Sequence, residues 1–283
     1  MKRAQLDVYS KLARFTERCV ELSQKAVGSG SKEPLSKGKD GYADWVIVAI
    51  HGLREYLDHS YRRLLDVLRE MPAIVAKLGL SPDELPDFTT VCARKQDLKM
   101  PVWRMLLQLS AELFDTGEVQ AIDSTSIAHR SSSHNYAKRV KGTFESVKTT
   151  ILVDCSTRAI LDVHCSMNLP HATQIAWQVL KRNLRTVETI VADKGFDWDK
   201  LRQMLRSEGI RPVIKHREFY SLDAAHNARI DDKTYHRRSI AESIFFALRK
   251  RFGSTLKART WFGQFRELVL KAAVRNIEQS LTA

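Results

Sequence analysis

One stretch of the chain, residues 235–252, combines a helical hydrophobic pattern with charged side chains at spacings that suit chemistry. At about 100° of rotation per residue, Arg238, Glu242 and Arg249 fall within roughly 40° of one another on this predicted helix. Tyr235 lies within about 60° of Arg238. The helix therefore presents one carboxylate among cations, while its apolar side can pack against a core. A carboxylate of this kind can serve as a metal ligand, although an ordinary solvated helix face has the same composition.

Two aspartates occupy suggestive positions in predicted strands. Asp123 lies within the apolar strand at residues 119–127, and Asp193 follows the strand at residues 187–192. Gly195 then permits a tight turn into the next helix. Acids at strand ends point into the crevice where ligands bind in open α/β sheets. Either aspartate alone is as readily structural, but together with Glu242 they predict a site of three carboxylates from distant parts of the chain.

The order of the predicted elements indicates how these acids are positioned. From residue 119 onward, strands lead into alternating strands and helices, which is typical of an α/β domain with an antiparallel meander that feeds parallel strands. This order resembles the ribonuclease H-like fold, a mixed sheet flanked by helices. A basic loop is expected at residues 128–148. The predicted strands are residues 119–127, 149–154, 159–167, 187–192 and 210–214, and the predicted helices are residues 171–184, 197–207 and 235–252.

Three motifs carry a resemblance to a known family. The segments AIDSTSI and VADKGFD and the spacing Tyr-x2-Arg-x3-Glu-x6-Arg resemble the acidic motifs of DDE-type insertion-sequence transposases. The match is with the insertion sequence four and five superfamily, and the segment FTTVCARKQDLKMPVW is similar to the N-terminal part of insertion sequence five relatives. Arg249 stands where the signature usually has lysine, and Lys250 adjoins it. The resemblance implies a catalytic and metal-binding triad of Asp123, Asp193 and Glu242.

The resemblance also implies a reaction and its partners. Carboxylates hold Mg²⁺ or Mn²⁺, and two such ions can stabilise the attacking and leaving oxygens of a phosphodiester displacement. Asp123 would contact both ions, and the other two acids one each. Tyr235, Arg238, Arg249 and Lys250 would bind DNA, both the terminal inverted repeats of a prokaryotic element and the target. A complex of two ends requires at least a homodimer. The alternatives are a nuclease without strand transfer and a domesticated transposase that only binds DNA.

The N-terminal region, residues 1–115, is predicted to be helical, and residues 116–283 are predicted to form the catalytic domain with C-terminal helices. Within residues 87–112, two short helices surround a turn at residues 99–101, with Thr89 or Thr90 as a cap and Pro101 opening the second helix. This pair is either a helix-turn-helix that binds a duplex or a packed scaffold. Its basic residues are Arg94, Lys95, Lys99 and Arg104.

Composition favours a polyanionic partner inside the cell. The 283 residues carry 46 Lys and Arg against 33 Asp and Glu, a net charge of +13. Ten Lys or Arg and two acids fall within residues 237–275, beside Glu242. The four cysteines form no CxxC pair, and no apolar run is long enough to span a bilayer. We therefore expect a cytoplasmic, nucleoid-associated protein without disulfides or membrane contact.

Overall fold

The computed structural model describes residues 10–28, 33–35, 41–129, 146–166 and 171–282. The chain divides into two compact units. One unit consists of Met1–Leu113 with Ala273–Ala283, and the other is Phe114–Ala272. Most of the predicted basic loop at residues 128–148 lies outside the described residues.

The first unit is helical, as its sequence pattern predicts. Its most buried element is α2, in which the run from Trp45 to Leu53 is shielded from solvent throughout. The last residues of the chain join this unit because Val274 and Ile277 are buried and the Asn276 amide donates to Ser110 Oγ at 3.1 Å. The sequence analysis placed a boundary at residue 115 and did not assign the C-terminal residues to the first unit. The helices are α1 (Lys11–Val27), α2 (Asp44–Leu57), α3 (Tyr61–Arg69), α4 (Pro72–Val75), α5 (Phe88–Asp97) and α6 (Met100–Ala111).

Side-chain caps set the helix boundaries in this unit. Asp87 caps α5 by accepting hydrogen bonds from the Thr89 backbone N–H at 2.8 Å and the Thr89 hydroxyl at 2.5 Å. The expectation that Thr89 or Thr90 would be the cap is therefore wrong, because the aspartate stands one residue earlier and reaches the free N–H first. Pro101 lies in the first turn of α6, as predicted, where its missing N–H is not needed.

The second unit is built on a mixed sheet of six strands among the described residues. Five of them run in the order β3-β2-β1-β4-β5, and β6 pairs with the far end of β1. The first three strands form the predicted antiparallel meander, whereas β4 and β5 lie parallel to β1. The strands are β1 (Val119–His129), β2 (Ser146–Asp154), β3 (Ile160–Ser166), β4 (Thr189–Ala192), β5 (Arg211–Ile214) and β6 (Thr255–Leu256). The predicted α/β fold is confirmed.

Helices cover both faces of the sheet. Side chains alternate between faces along a strand, so Ile122 joins a core with Ile175 and Leu201 while Asp123 points to the opposite face. That opposite face is covered by α11, which contacts β1 and β2. The helices of this unit are α7 (Ala172–Lys181), α8 (Asp199–Ser207), α9 (Ser221–Ala228), α10 (Asp232–His236), α11 (Ser239–Phe252) and α12 (Trp261–Ser280), the last of which ends in the first unit.

The helix predicted at residues 235–252 is two helices, which corrects the sequence analysis. Asp231 caps the short α10. Before α11 begins, the backbone makes two i→i−3 hydrogen bonds of the 3-10 type, which tighten the chain: Arg237 N donates to Thr234 O, and Arg238 N donates to Tyr235 O. Tyr235 therefore lies on α10, and Glu242 lies in the first turn of α11. None of the described helices is both long and apolar enough to cross a membrane.

Candidate active site

Asp123 is held by the central strand of the sheet. It lies on β1 between β2 and β4, and its half-buried carboxylate accepts a hydrogen bond of 2.7 Å from the Ser124 backbone N–H. On the opposite face of the strand, the Ser124 hydroxyl is 2.7 Å from Thr150 Oγ1 on β2. The strand is thus tied to its neighbour on one side of Asp123, and the carboxylate faces α11 on the other.

Asp193 lies beside Asp123 because their strands run in parallel and in register. The last paired residues of β1 and β4 are Ala121 and Val191, and each aspartate is two residues further along. Neighbouring strands are about 4.8 Å apart, so both side chains leave the same edge of the sheet on the same face. Asp193 also caps a short helical turn, where its Oδ1 accepts the Gly195 N–H at 2.8 Å. A Cβ at residue 195 would lie 2.8 Å from the same oxygen, so a larger residue there would displace the Asp193 carboxylate.

Glu242 reaches the site from a helix. It is exposed in the first turn of α11, where the helix dipole favours an acid. Its Oε1 accepts a 2.7 Å hydrogen bond from Arg238 Nη1 one turn earlier. The position of this carboxylate therefore depends on an exposed ion pair, whereas the positions of the two aspartates follow from the sheet.

The electrostatics of Asp123 link the three acids. The pKa of its carboxyl group is raised to about 6, chiefly by burial and further by the negative charges of Asp193 and Glu242, while the hydrogen bond from Ser124 and the charge of Arg238 act in the opposite direction. Like charges that share one site favour a cation between them. Within the described ranges, however, no three His, Cys, Asp or Glu side chains are arranged to hold one metal ion as they stand. The carboxylate of Glu242 is bound to Arg238 instead.

Arg249 contacts β1 close to Asp123. Its Nη2 donates a 2.7 Å hydrogen bond to Thr125 Oγ1, and Thr125 lies two residues after Asp123 on the same face of the strand. Lys250, the next residue along the helix, is exposed. Sequence analysis left the signature position open between Arg249 and Lys250, and the structure brings Arg249 to the strand that carries Asp123. The sequence pattern did not identify Thr125, because its role depends on how α11 packs against β1.

Tyr235 is buried, with an exposed fraction of 6%. The face of its ring is 4.6 Å from Lys215 Nζ and 5.3 Å from the Arg238 guanidinium carbon. Such contacts between a cation and an aromatic ring orient the cation. Lys215 is further held by Asp232 at 2.7 Å. Tyr235 thus contacts two cations, of which Arg238 also binds Glu242.

A second network fixes the loops around Asp193, and sequence analysis missed it. Asp197 accepts hydrogen bonds from the Arg217 backbone N–H at 2.6 Å and forms an ion pair with Arg202 at 2.7 Å. Burial raises the pKa of Asp197, but these contacts outweigh it and hold the pKa below the ordinary value. Glu218 binds Lys194 at 2.7 Å, next to Asp193. The available signal was the motif itself, since VADKGFD contains a second aspartate four residues after the first.

The same loops expose large apolar side chains. Phe219, Tyr220 and Leu222 are 76%, 77% and 80% exposed. Their backbone is ordered by Asp223, whose Oδ2 accepts the N–H groups of Phe219 at 3.0 Å and Tyr220 at 2.9 Å. The segment between β5 and α9 is therefore pinned to the Asp193 loop while its side chains face solvent.

Comparison with known proteins agrees with this geometry. The family model described as transposase DDE domain matches residues 115–277, more than half of the chain. The chain is similar to piggyBac transposase in a cryo-EM structure of its synaptic complex with hairpin DNA, with a TM-score of 0.50 and 11% sequence identity over 97% of this chain and 76% of that one. At that identity the similarity concerns the fold. No curated protein sequence matches the chain. The chain belongs to the transposase DDE domain family and is an enzyme of the DNA transposase class.

Proposed function

We propose that this transposase binds the terminal inverted repeats of a prokaryotic insertion sequence, cleaves DNA at the ends of the element and joins them to target DNA. The observation that carries the proposal is the parallel register of β1 and β4, which supports Asp123 and Asp193 as neighbours at one edge of the sheet. The effect of Glu242 on the pKa of Asp123 supports it as the third member.

Transposase DDE domains generally depend on divalent metal ions. The three carboxylates fit such an ion by their chemistry, because hard oxygen ligands suit Mg²⁺ and Mn²⁺ and because the negative charges of Asp193 and Glu242 both act on Asp123. We assign Asp123, Asp193 and Glu242 as the ligands of two ions. Bound there, the ions would stabilise charge on the attacking and leaving oxygens of an in-line displacement.

The chain itself contributes placement and charge. The turn at Gly195 holds the Asp193 carboxylate, and the Arg249–Thr125 hydrogen bond sets α11 against β1. For Glu242 to act as a ligand, Arg238 must release it and become available to a DNA phosphate. Lys250 lies exposed on the same helix for a second phosphate contact. Tyr235 orients Arg238 and so acts on DNA indirectly.

The test is a cleavage and joining assay with the purified chain, a labelled duplex that carries one end of the element, and Mg²⁺ or Mn²⁺. Wild type is expected to nick at the end and to join it to a second duplex, and Asp123→Ala, Asp193→Ala and Glu242→Ala are expected to bind the duplex without cutting it. Asp199→Ala is the matched control, because this exposed aspartate lies six residues after Asp193 and outside the site. It should cut as wild type does.

Three other outcomes would change the assignment. Cleavage without joining would make the chain a nuclease of this fold. Metal-independent binding with no cleavage by wild type would make it a DNA-binding protein that retains a transposase domain. Cleavage by any of the three alanine variants at the wild-type rate would remove that acid from the catalytic set. A transposase joins two ends, so we also expect a dimer on DNA, which sedimentation of the complex would measure.

A further inference from the structure

Helices α2 and α3 are joined by a turn of only three residues. Asp58 ends α2 in the left-handed conformation, with φ of 50° and ψ of 45°. Ser60 then begins α3 by accepting a hydrogen bond from Arg63 N at 3.3 Å. Both ends of the turn are therefore fixed by local contacts. A short turn between two helices of this kind is a feature of helix-turn-helix motifs.

The two helices differ in exposure. In α2, the run from Trp45 to Leu53 is buried on every side, which makes this helix a support. In α3, only Leu64, Leu65 and Leu68 are buried. The remaining side of α3 exposes Arg62, Arg63, Asp66 and Arg69, which fall within about 120° of helix rotation. Helix α3 thus has one face in the core and one continuous polar face toward solvent.

The polar face of α3 lines an open groove. Its walls are completed by Asp87 and Phe88 at the start of α5. The Arg62 guanidinium carbon lies 4.2 Å above the Phe88 ring, so this arginine is held in place. The Asp87 carboxylate already accepts a hydrogen bond from the Thr89 backbone N–H. Neither Arg63 nor Arg69 forms an ion pair with any residue in the described part of the chain. The groove therefore offers cations to a partner.

The helices α5 and α6, which the sequence left open as either a helix-turn-helix or a scaffold, are less suited to this role. Arg94 on α5 forms an ion pair with Asp44 at 2.5 Å. Helix α6 buries Trp103, Leu106 and Leu107, and Arg104 is only half-exposed. These helices pack as a scaffold, and Lys99, at the turn between them, is the exposed cation that remains of the predicted set.

We propose that α2 and α3 form the helix-turn-helix that recognises the ends of the element, with α3 in the major groove. This inference rests on the proposed function and names the surface that reads its DNA. The nine residues of α3 fit a groove about 12 Å wide. Its arginines match guanine or phosphate, and Asp66 can accept from cytosine. A surface with both arginines and an acid can distinguish between bases, whereas a uniformly basic surface would bind any phosphate backbone.

The experiment measures the affinity of the full-length chain for two duplexes, one from an end of the element and one with the same composition in scrambled order. The buffer contains EDTA, so binding is read without cleavage. The variants are Arg63→Gln and Arg69→Gln on α3 and Lys99→Gln between α5 and α6. Arg18→Gln on α1 is the control, since it removes the same charge from an exposed position elsewhere in the unit. Thermal melting verifies that each variant is folded.

We expect Arg63→Gln and Arg69→Gln each to weaken binding to the end duplex about tenfold and to reduce the preference over the scrambled duplex. Where an arginine contacts phosphate instead of a base, the slope of log affinity against log salt should fall by about one. Arg18→Gln should bind as wild type does. The proposal is overturned if both α3 variants keep wild-type affinity and preference, or if Lys99→Gln loses more than either. Failure of metal-dependent cleavage would leave these affinities measurable and would count against the proposed function alone.

Discussion

Asp123 and Asp193 differ from Glu242 in what determines their position. The two aspartates project from neighbouring parallel strands, and each carboxylate accepts a backbone N–H close to its own residue, from Ser124 and Gly195. Glu242 is exposed on a helix and, among the described residues, is held only by the Arg238 side chain. An exposed ion pair of this type contributes little to stability, about 0–1 kcal/mol. One part of the site is therefore built into the backbone, and the other depends on a side chain that can change partner.

This difference separates catalysis from stability. A charged group that is buried near like charges costs folding free energy, while an exposed one does not. Asp123 is the partly buried acid and Glu242 is the exposed one, although the proposed reaction requires both. Substitution of each acid by its amide should therefore have the same effect on activity and different effects on folding.

The largest expected effect is on cleavage. Asp123→Asn and Glu242→Gln should each lower the rate of metal-dependent cleavage by about a thousandfold, because loss of a ligand removes several kcal/mol of transition-state stabilisation. Single-turnover cleavage at saturating protein measures this. If Glu242→Gln lost less than about tenfold, the helix acid would be a phosphate-positioning residue and not a ligand.

The same two variants should differ in stability. The pKa of Asp123 is raised to about 6 in the folded protein, so the ionised form is disfavoured there and the free energy of unfolding falls as the pH rises from about 4 to above 6. Asp123→Asn removes this cost and should raise the free energy of unfolding by roughly 1–3 kcal/mol at pH 8. The gain should vanish near pH 4. Glu242→Gln should change it by less than about 0.5 kcal/mol at either pH, as measured by urea denaturation.

Gly195→Ala tests the backbone-held part of the site. The new Cβ would lie 2.8 Å from Asp193 Oδ1, so the carboxylate must move. A displacement of this size should lower cleavage about 10- to 100-fold. Gly263→Ala is the matched control, because its Cβ would make an equally close approach of 2.8 Å to Thr260 Oγ1 on the turn before α12, away from the three acids. Equal losses in both variants would show that the effect of Gly195→Ala is general misfolding.

The raised pKa of Asp123 predicts a pH dependence. A divalent ion competes with the proton for this carboxylate, so cleavage should decline about tenfold per pH unit well below pH 6. In metal-free protein, the carboxyl carbon of Asp123 should titrate near pH 6 in an NMR experiment, and Asp193→Asn should lower that midpoint by removing one like charge. An unchanged midpoint would show that the Asp193 carboxylate does not act on Asp123.

The smallest expected effect concerns the contact between α11 and β1. Thr125→Val removes the acceptor of the Arg249 hydrogen bond but keeps the shape of the side chain. Loss of one such bond is worth about 0.5–1.5 kcal/mol, so cleavage should fall roughly two- to tenfold. Thr125→Ser retains the hydroxyl and should restore the rate. If Val and Ser variants behaved alike, the contact would not position the helix.

Much of the fold was predictable from the sequence because local patterns are strong in the second unit. The meander, the two later strands, Asp123 within β1 and Asp193 after β4 follow from apolar runs of the right length and from the turn at Gly195. The break before α11 was not predictable, since no proline or glycine marks residues 236–238 and the apolar periodicity continues through them. The exposed polar face of α3 was also missed, because Tyr61–Arg69 differs from its neighbours only in exposure. Long-range contacts such as Arg249 with Thr125, 124 residues apart, leave no local signal.

The most direct test of the account is a titration of the metal-free protein with Mn²⁺, in which bound and free ion are separated by electron paramagnetic resonance. Wild type should bind Mn²⁺, and Asp123→Asn, Asp193→Asn and Glu242→Gln should each weaken binding at least about tenfold, as expected when a ligand is removed from one shared site. Asp199→Asn should leave binding unchanged. Wild-type affinity in the Glu242→Gln variant, with weakened binding in both aspartate variants, would contradict a site formed by all three acids and would confine the ions to the sheet edge.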